Sequence, residues 1–176
     1  LITAPTLQER REAAYALGGL PLREERFALD AADGVPFSVQ QHRYLVRRLA
    51  PAHGAQPWAR LLPLRLENVE CRYEQVRDDP VCQHQLNLRW DAYGCPVHSV
   101  TVHHARRKTA DDTPPAHLTD PHAQQWWRDT HDSAQQRYYL SETLSQWIHH
   151  DQPDQWRLAL PYRHRTNTWA LPKGEA

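Results

Sequence analysis

The segment WDAYGCPVHSV, residues 90–100, decides how the chain is read. Asp91 opens an Asp-Ala-Tyr-Gly turn. Its carboxylate can accept from backbone amides at the first position of a type I turn, and Gly94 can take the left-handed conformation that completes a three-residue hairpin loop. Asp91 and Gly94 are therefore the expected structural turn residues. Pro96 follows at a position suited to a bulge or a sheet edge. Apolar and polar residues alternate on both sides, so residues 84–90 and 97–104 are expected to pair about the loop, with Leu86 opposite Val102 and Leu88 opposite Val100.

The same unit recurs along the chain. Residues 20–30, LPLREERFALD, and 37–49, FSVQQHRYLVRRL, are two extended runs around a turn at Asp33 and Gly34, with Tyr44 and Val46 on one face and Leu45 on the other. Residues 50–63 carry three Pro and one Gly without a sustained period and read as a connection. LRLENVECRYEQV and VCQHQLNLRW then flank a tip at Asp79 and Pro80. Residues 105–124, rich in charge and Pro, read as a surface excursion, and QQWWRDTHDS predicts a turn or two of helix. RYYLSETLSQWIHH fits either period; its Tyr, Thr, Trp and Ile content favours strand. A last extended segment, QWRLALPYRHRTNTWAL, is expected to break at Pro161. At the other end Thr6 and Glu9 form a capping-box pattern, and Gly18 and Gly19 stop a short helix. The expected fold is thus mainly β, an antiparallel β-hairpin array with a short N-terminal helix, organised as a helical lead-in over residues 1–19 and a hairpin-rich region over 20–176.

Composition narrows the function. The 176 residues include 21 Lys and Arg against 21 Asp and Glu, which leaves no basic surplus for a nucleic-acid partner. With a mean hydropathy of -0.82, no window approaches the roughly 20 apolar residues of a membrane span, and charges occupy the place of a signal-peptide core. Absence of Met is read as the mark of a segment from a longer polypeptide. The 12 His predict that association changes between pH 7.5 and 5.5. Cys71, Cys82 and Cys95, an odd number without a CxxC pair, leave disulfide and free states open.

Residues 72–107, RYEQVRDDPVCQHQLNLRWDAYGCPVHSVTVHHARR, resemble the B component of bacterial insecticidal toxin complexes (Tc toxins), which is related to the Rhs/YD-repeat family: a YE strand, a DP tip, a QL-L strand, a D-x-Y-G-x-P turn and an S-V return ending in a double Arg. LPLREERFALD with PFSVQQHRYLVRRL carries a second block. As a YD repeat the motif departs from pattern, with Trp90 where Tyr is usual and Cys95 and Pro96 replacing Arg and Leu. The resemblance implies a secreted toxin-complex component and a section of its middle region. Hairpins would there form part of a shell that, with the C component, encloses a cytotoxic C-terminal region; the whole protein would dock on the A-component channel. Other parts of the same B component are then the nearest partners. The alternative is a secreted β-sandwich that binds carbohydrate or a protein surface.

Neither reading requires catalysis, a cofactor or a metal. Trp90, Tyr93, Trp147, Trp156 and Trp169 could form a sugar platform, but cross-strand packing is the expected use of such rings. Cys95, His98, His103 and His104 supply zinc-type ligands, yet His103 and His104 point to opposite faces of a strand, as do His149 and His150. Asp129, His131 and Asp132 with Ser133 or Ser141 compose a triad only on paper, since no nucleophile-elbow motif accompanies them. Cys82 lies inside a strand, away from any helix N-terminus that would activate it. Arg47, Arg48, Arg106, Arg107 and Lys108 are expected to form a solvated or edge-guarding charge run, with an acidic partner as the sharper alternative.

Overall fold

Seven strands follow one another across a single antiparallel sheet in chain order. They are β1 (Arg23–Arg26), β2 (Ser38–Ala50), β3 (Arg60–Arg72), β4 (Val81–Trp90), β5 (Pro96–His103), β6 (Arg137–Gln152) and β7 (Gln155–Pro172), with helices α1 (Leu7–Ala16) and α2 (Pro121–Asp129). The computed structural model describes residues 5–29, 34–73 and 76–174. The mainly β hairpin array with a short N-terminal helix is what the alternation implied.

Local chemistry explains the elements. Thr6 Oγ1 accepts from the Glu9 amide at 3.2 Å while Glu9 Oε2 accepts from the Thr6 amide at 2.9 Å, closing the capping box that starts α1. The same Glu9 receives Arg48 of β2 at 2.9 Å, and Glu12 accepts from the Ala59 amide at 2.8 Å, which seats the helix against the β2–β3 hairpin. β1 pairs with β2 as expected; Asp33, assigned to their turn, lies outside the described residues.

Three expectations need correction. The connection expected over residues 50–63 is partly strand: Pro63 lies inside β3 opposite Val46. β4 pairs with β3 only over Glu67 to Arg72, so Pro63 has a neighbour on one side alone and its missing N–H costs no ladder bond. In the β4–β5 hairpin Leu86 faces Val100 and His84 faces Val102, two residues from the expected register. The loop sets this: the Asp91 amide donates to the Cys95 carbonyl at 3.0 Å, and two compensating irregularities skip first Leu88 and then Val97, so Leu88 has no direct partner. Finally, β7 does not break at Pro161. It passes Pro161 opposite Trp147 between two register shifts, one that skips Tyr162 and one where Ala159 adopts φ 61°.

Cys71 and Cys82 face each other across β3 and β4 with Cα atoms 4.2 Å apart and are joined by a disulfide. That separation matches the close, non-hydrogen-bonded pairs of an antiparallel ladder. Cys95 is free.

The sheet is one layer thick over most of its area. Among the described residues only Val35, Leu64 and Trp127 are buried apolar residues. The accessible surface is 12597 Å², against roughly 8,900 Å² for a compact monomer of this mass. A second sheet packed face to face, which the sandwich alternative requires, is absent among the described residues.

Candidate functional site

Two polar clusters join parts of the chain that the sequence keeps apart. The first is built on Asp79 at the β3–β4 tip. Its side chain is fully buried, and Oδ1 accepts from the backbone amides of Arg107 at 2.7 Å and Lys108 at 3.1 Å. Oδ2 meets Arg106 Nε at 2.9 Å and His131 Nε2 at 2.8 Å. The other ring nitrogen of His131 donates to the Trp127 carbonyl at 2.6 Å, at the last turn of α2. Nε2 also lies 3.1 Å from Arg106 Nη2, so the ring is held between the Asp79 carboxylate, the Arg106 guanidinium and the Trp127 carbonyl. Burial pushes the Asp79 carboxyl up; the His131 bond, the two amides and the Arg106 charge outweigh it and hold the group below the usual carboxylate range. This cluster pins the excursion between β5 and β6 to the tip of the neighbouring hairpin.

The second cluster surrounds the β4–β5 turn. Asp91 Oδ1 accepts from the amides of Tyr93 and Cys95, both at 2.9 Å, and Gly94 sits at φ 88° with Leu62 and Leu64 of β3 closing over its open side. The turn is wedged between two hairpin arms. On one side Arg47 of β2 donates to the Asp91 carbonyl at 2.6 Å. On the other, Trp147 donates to the Pro96 carbonyl at 2.8 Å, the Tyr93 hydroxyl donates to Asp151, and the Tyr93 and His149 rings lie 4.3 Å apart. His149 Nε2 donates to Asp91 Oδ2 at 2.8 Å while its Nδ1 accepts from the Ala159 amide at 3.1 Å, which fixes the tautomer. For Asp91, burial raises the pKa and the Cys95 amide, the His149 ring and the Tyr93 amide lower it further, leaving it below its ordinary value. Burial and the Asp91 charge push the Cys95 thiol up. A cleft of about 770 Å³ opens beside the turn, walled by Trp90, Trp147 and Tyr162 with Arg89, Arg163 and Arg165 at its rim.

These contacts redistribute the sequence candidates. Cys95 does not meet His98, His103 or His104: His98 pairs with Glu142 at 2.9 Å, and His104 packs between His84 and Tyr138. Cys95 lies instead with Asp91 and His149. The paper triad does not assemble. Asp132 caps the 3-10 turn at residues 133–136, Asp129 accepts from Gln125, Ser141 faces Thr168, and His131 is turned inward on Asp79. Cys82 is held in the disulfide. The basic run is no purely solvated face, because Arg106 and Arg48 reach buried carboxylates at Asp79 and Glu9. Of the aromatics, Trp90 and Trp147 share the cleft, while Trp156 lies near the β6–β7 tip and Trp169 faces Leu140 further down the hairpin. The sequence marks Asp79 as a tip residue alone; nothing in RDDP names a histidine 52 residues on as its partner.

A family model described as the insecticide toxin TcdB middle/C-terminal region matches residues 12–160. No curated protein matches the chain. Among solved structures, the crystal structures of TcdB2-TccC3 and of TcdB2-TccC3-Cdc42 are each 25% identical over 99% of this chain, with TM-scores of 0.79 and 0.80. TcdB2-TccC3 without its hypervariable C-terminal region shares the fold at 24% identity and a TM-score of 0.75 over 98% of this chain. The chain spans 8% of the length of each of those chains.

Proposed function

Because the chain belongs to the insecticide toxin TcdB middle/C-terminal region family, we propose that it is a wall section of a toxin-complex B component, one stretch of the β-shell that encloses a cytotoxic C-terminal region before delivery. The observation that carries this reading is the single-layer sheet, whose strands run in chain order and whose faces are largely uncovered. Such a sheet suits a partition. It offers one face to a lumen and the other to the outside, and β7, paired among the described residues only with β6, presents an edge on which a further strand can be laid. Its partners are the rest of the B component and the C component, with the A-component channel reached through the whole protein, and the assembly is secreted. Exclusion, not chemistry, is the mechanism: ladder hydrogen bonds close the wall to proteases, and no side chain of this section acts as a catalyst.

The test uses neighbouring positions on β6 whose side chains point to opposite faces. In the complete assembly, Thr143→Cys and Leu144→Cys are each reacted with a bulky, impermeant maleimide. One position is expected to be shielded and the other to react, while both react in the isolated section. Equal reactivity in the complete assembly overturns the wall.

A further inference from the structure

We propose that Asp91, Cys95 and His149 form a binding site for a divalent cation of the zinc class, which clips the β4–β5 turn to the β6–β7 arm. One donor atom from each residue, the Asp91 carboxylate, the Cys95 thiol and a His149 ring nitrogen, falls within 4.8 Å of the other two. A tetrahedral zinc site with bonds of about 2.0–2.3 Å places its ligand atoms roughly 3.3–3.8 Å apart. The trio therefore closes on a cation by shifts of about 1 Å or less. A thiolate, an imidazole and a carboxylate together form the mixed donor set that zinc accepts and that magnesium and calcium do not.

Two features of the turn prepare the site. Asp91 Oδ1 is occupied by the Tyr93 and Cys95 amides, so the carboxylate is oriented with Oδ2 turned to His149, where a cation would come between the two, and the same bonds fix Cys95 four residues on. Asp91 and His149 lie beside the 770 Å³ cleft, which leaves the fourth coordination position to water or to a small ligand. The proton balance is explicit. Cys95 loses its thiol proton to solvent. The His149 proton moves from Nε2, where it now meets Asp91 Oδ2, to Nδ1, and the Ala159 amide turns to water; Ala159 lies on an exposed bulge, where that bond is readily replaced. The cation thus takes the place of one hydrogen bond between turn and arm and adds a link through sulfur.

Cobalt(II) added to the purified protein, with Cys95 first shown to be reduced by thiol titration, tests the site. One equivalent is expected to give the visible bands of tetrahedral cobalt together with a thiolate-to-cobalt band in the near ultraviolet, all removed by zinc. Cys95→Ser abolishes the thiolate band. Asp91→Asn keeps the turn acceptor and lowers affinity at least tenfold; thermal melts confirm that both variants fold. Cobalt uptake without the thiolate band, or uptake unchanged by Cys95→Ser and Asp91→Asn, overturns the site, since the remaining histidines can hold cobalt only through nitrogen.

Discussion

His131 and Asp79, 52 residues apart in sequence, meet at 2.8 Å with side chains that are 1% and 0% exposed. Two hairpins and a helix-bearing excursion converge on this pair. Replacing the carboxylate leaves His131, Arg106 and two amides without the acceptor they share.

Asp79→Ala is therefore expected to cost about 3–5 kcal/mol, the scale for removing one member of a buried ion pair. The loss is local first. Limited proteolysis should cut within residues 109–119 of the variant before the sheet unfolds, whereas the parent resists. Identical cleavage of the two would show that the excursion is held by something else.

Gly94 and Gly19 both have positive φ, 88° and 81°, but a Cβ on Gly94 would stand 3.0 Å from Leu62 and Leu64 while one on Gly19 meets nothing within 4 Å. Gly19→Ala is expected to cost roughly 1–2 kcal/mol of backbone strain alone. Gly94→Ala carries that strain and a packing penalty, so its denaturation midpoint should fall clearly further. Equal midpoints would mean that Leu62 and Leu64 move aside freely.

Two groups predict a two-step response to acid. His104 is pushed below the usual histidine range by burial and then by the His84 charge, so its contribution is present above about pH 6.5 and is lost as pH falls toward its folded value. Asp79 sits below the usual carboxylate range, so its contribution is present above about pH 4 and is lost as pH falls through its folded value. His104→Gln should flatten the melting temperature between pH 7 and 5 and leave the acid limb unchanged. A slope that survives the substitution assigns the first step to other histidines.

The Cys71–Cys82 bridge closes a loop with a sequence separation of 11, and chain-entropy arguments give about 2–3 kcal/mol for such a closure. Reductant should lower the denaturation midpoint of the parent and leave a Cys71→Ser, Cys82→Ser double variant unmoved. If reductant shifts both alike, the effect lies elsewhere.

Strands were legible where residues alternate over eight or more positions and turns carry Asp or Gly. β6 illustrates this: its helical spacing was a coincidence, and its Tyr, Thr and Trp residues agree with cross-strand pairing to β5 and β7. Register was less accessible, because Leu88 and Val97 are skipped in turn and no local property of either residue announces it. The disulfide was not legible, since counting outward from a tip at Asp79 and Pro80 does not set Cys71 against Cys82; the longer loop between Arg72 and Val81 does. The His131–Asp79 and His149–Asp91 pairs were not readable at all. Each depends on how one hairpin leans over another, which is set by bulges and sheet coiling and not by the spacing of the partners.

The order of the strands also bears on how such a chain is made. Every strand from β2 onward is laid against the one synthesised just before it, so an emerging polypeptide can zip each new strand onto a finished edge without waiting for distant sequence. The polar closures cannot occur this way: the tip bearing Asp79 is complete long before His131 leaves the ribosome, as the Asp91 turn is before His149 does. Vectorial assembly thus leaves the Asp79 carboxylate waiting until α2 arrives, so the excursion can be fastened only after β5 is laid.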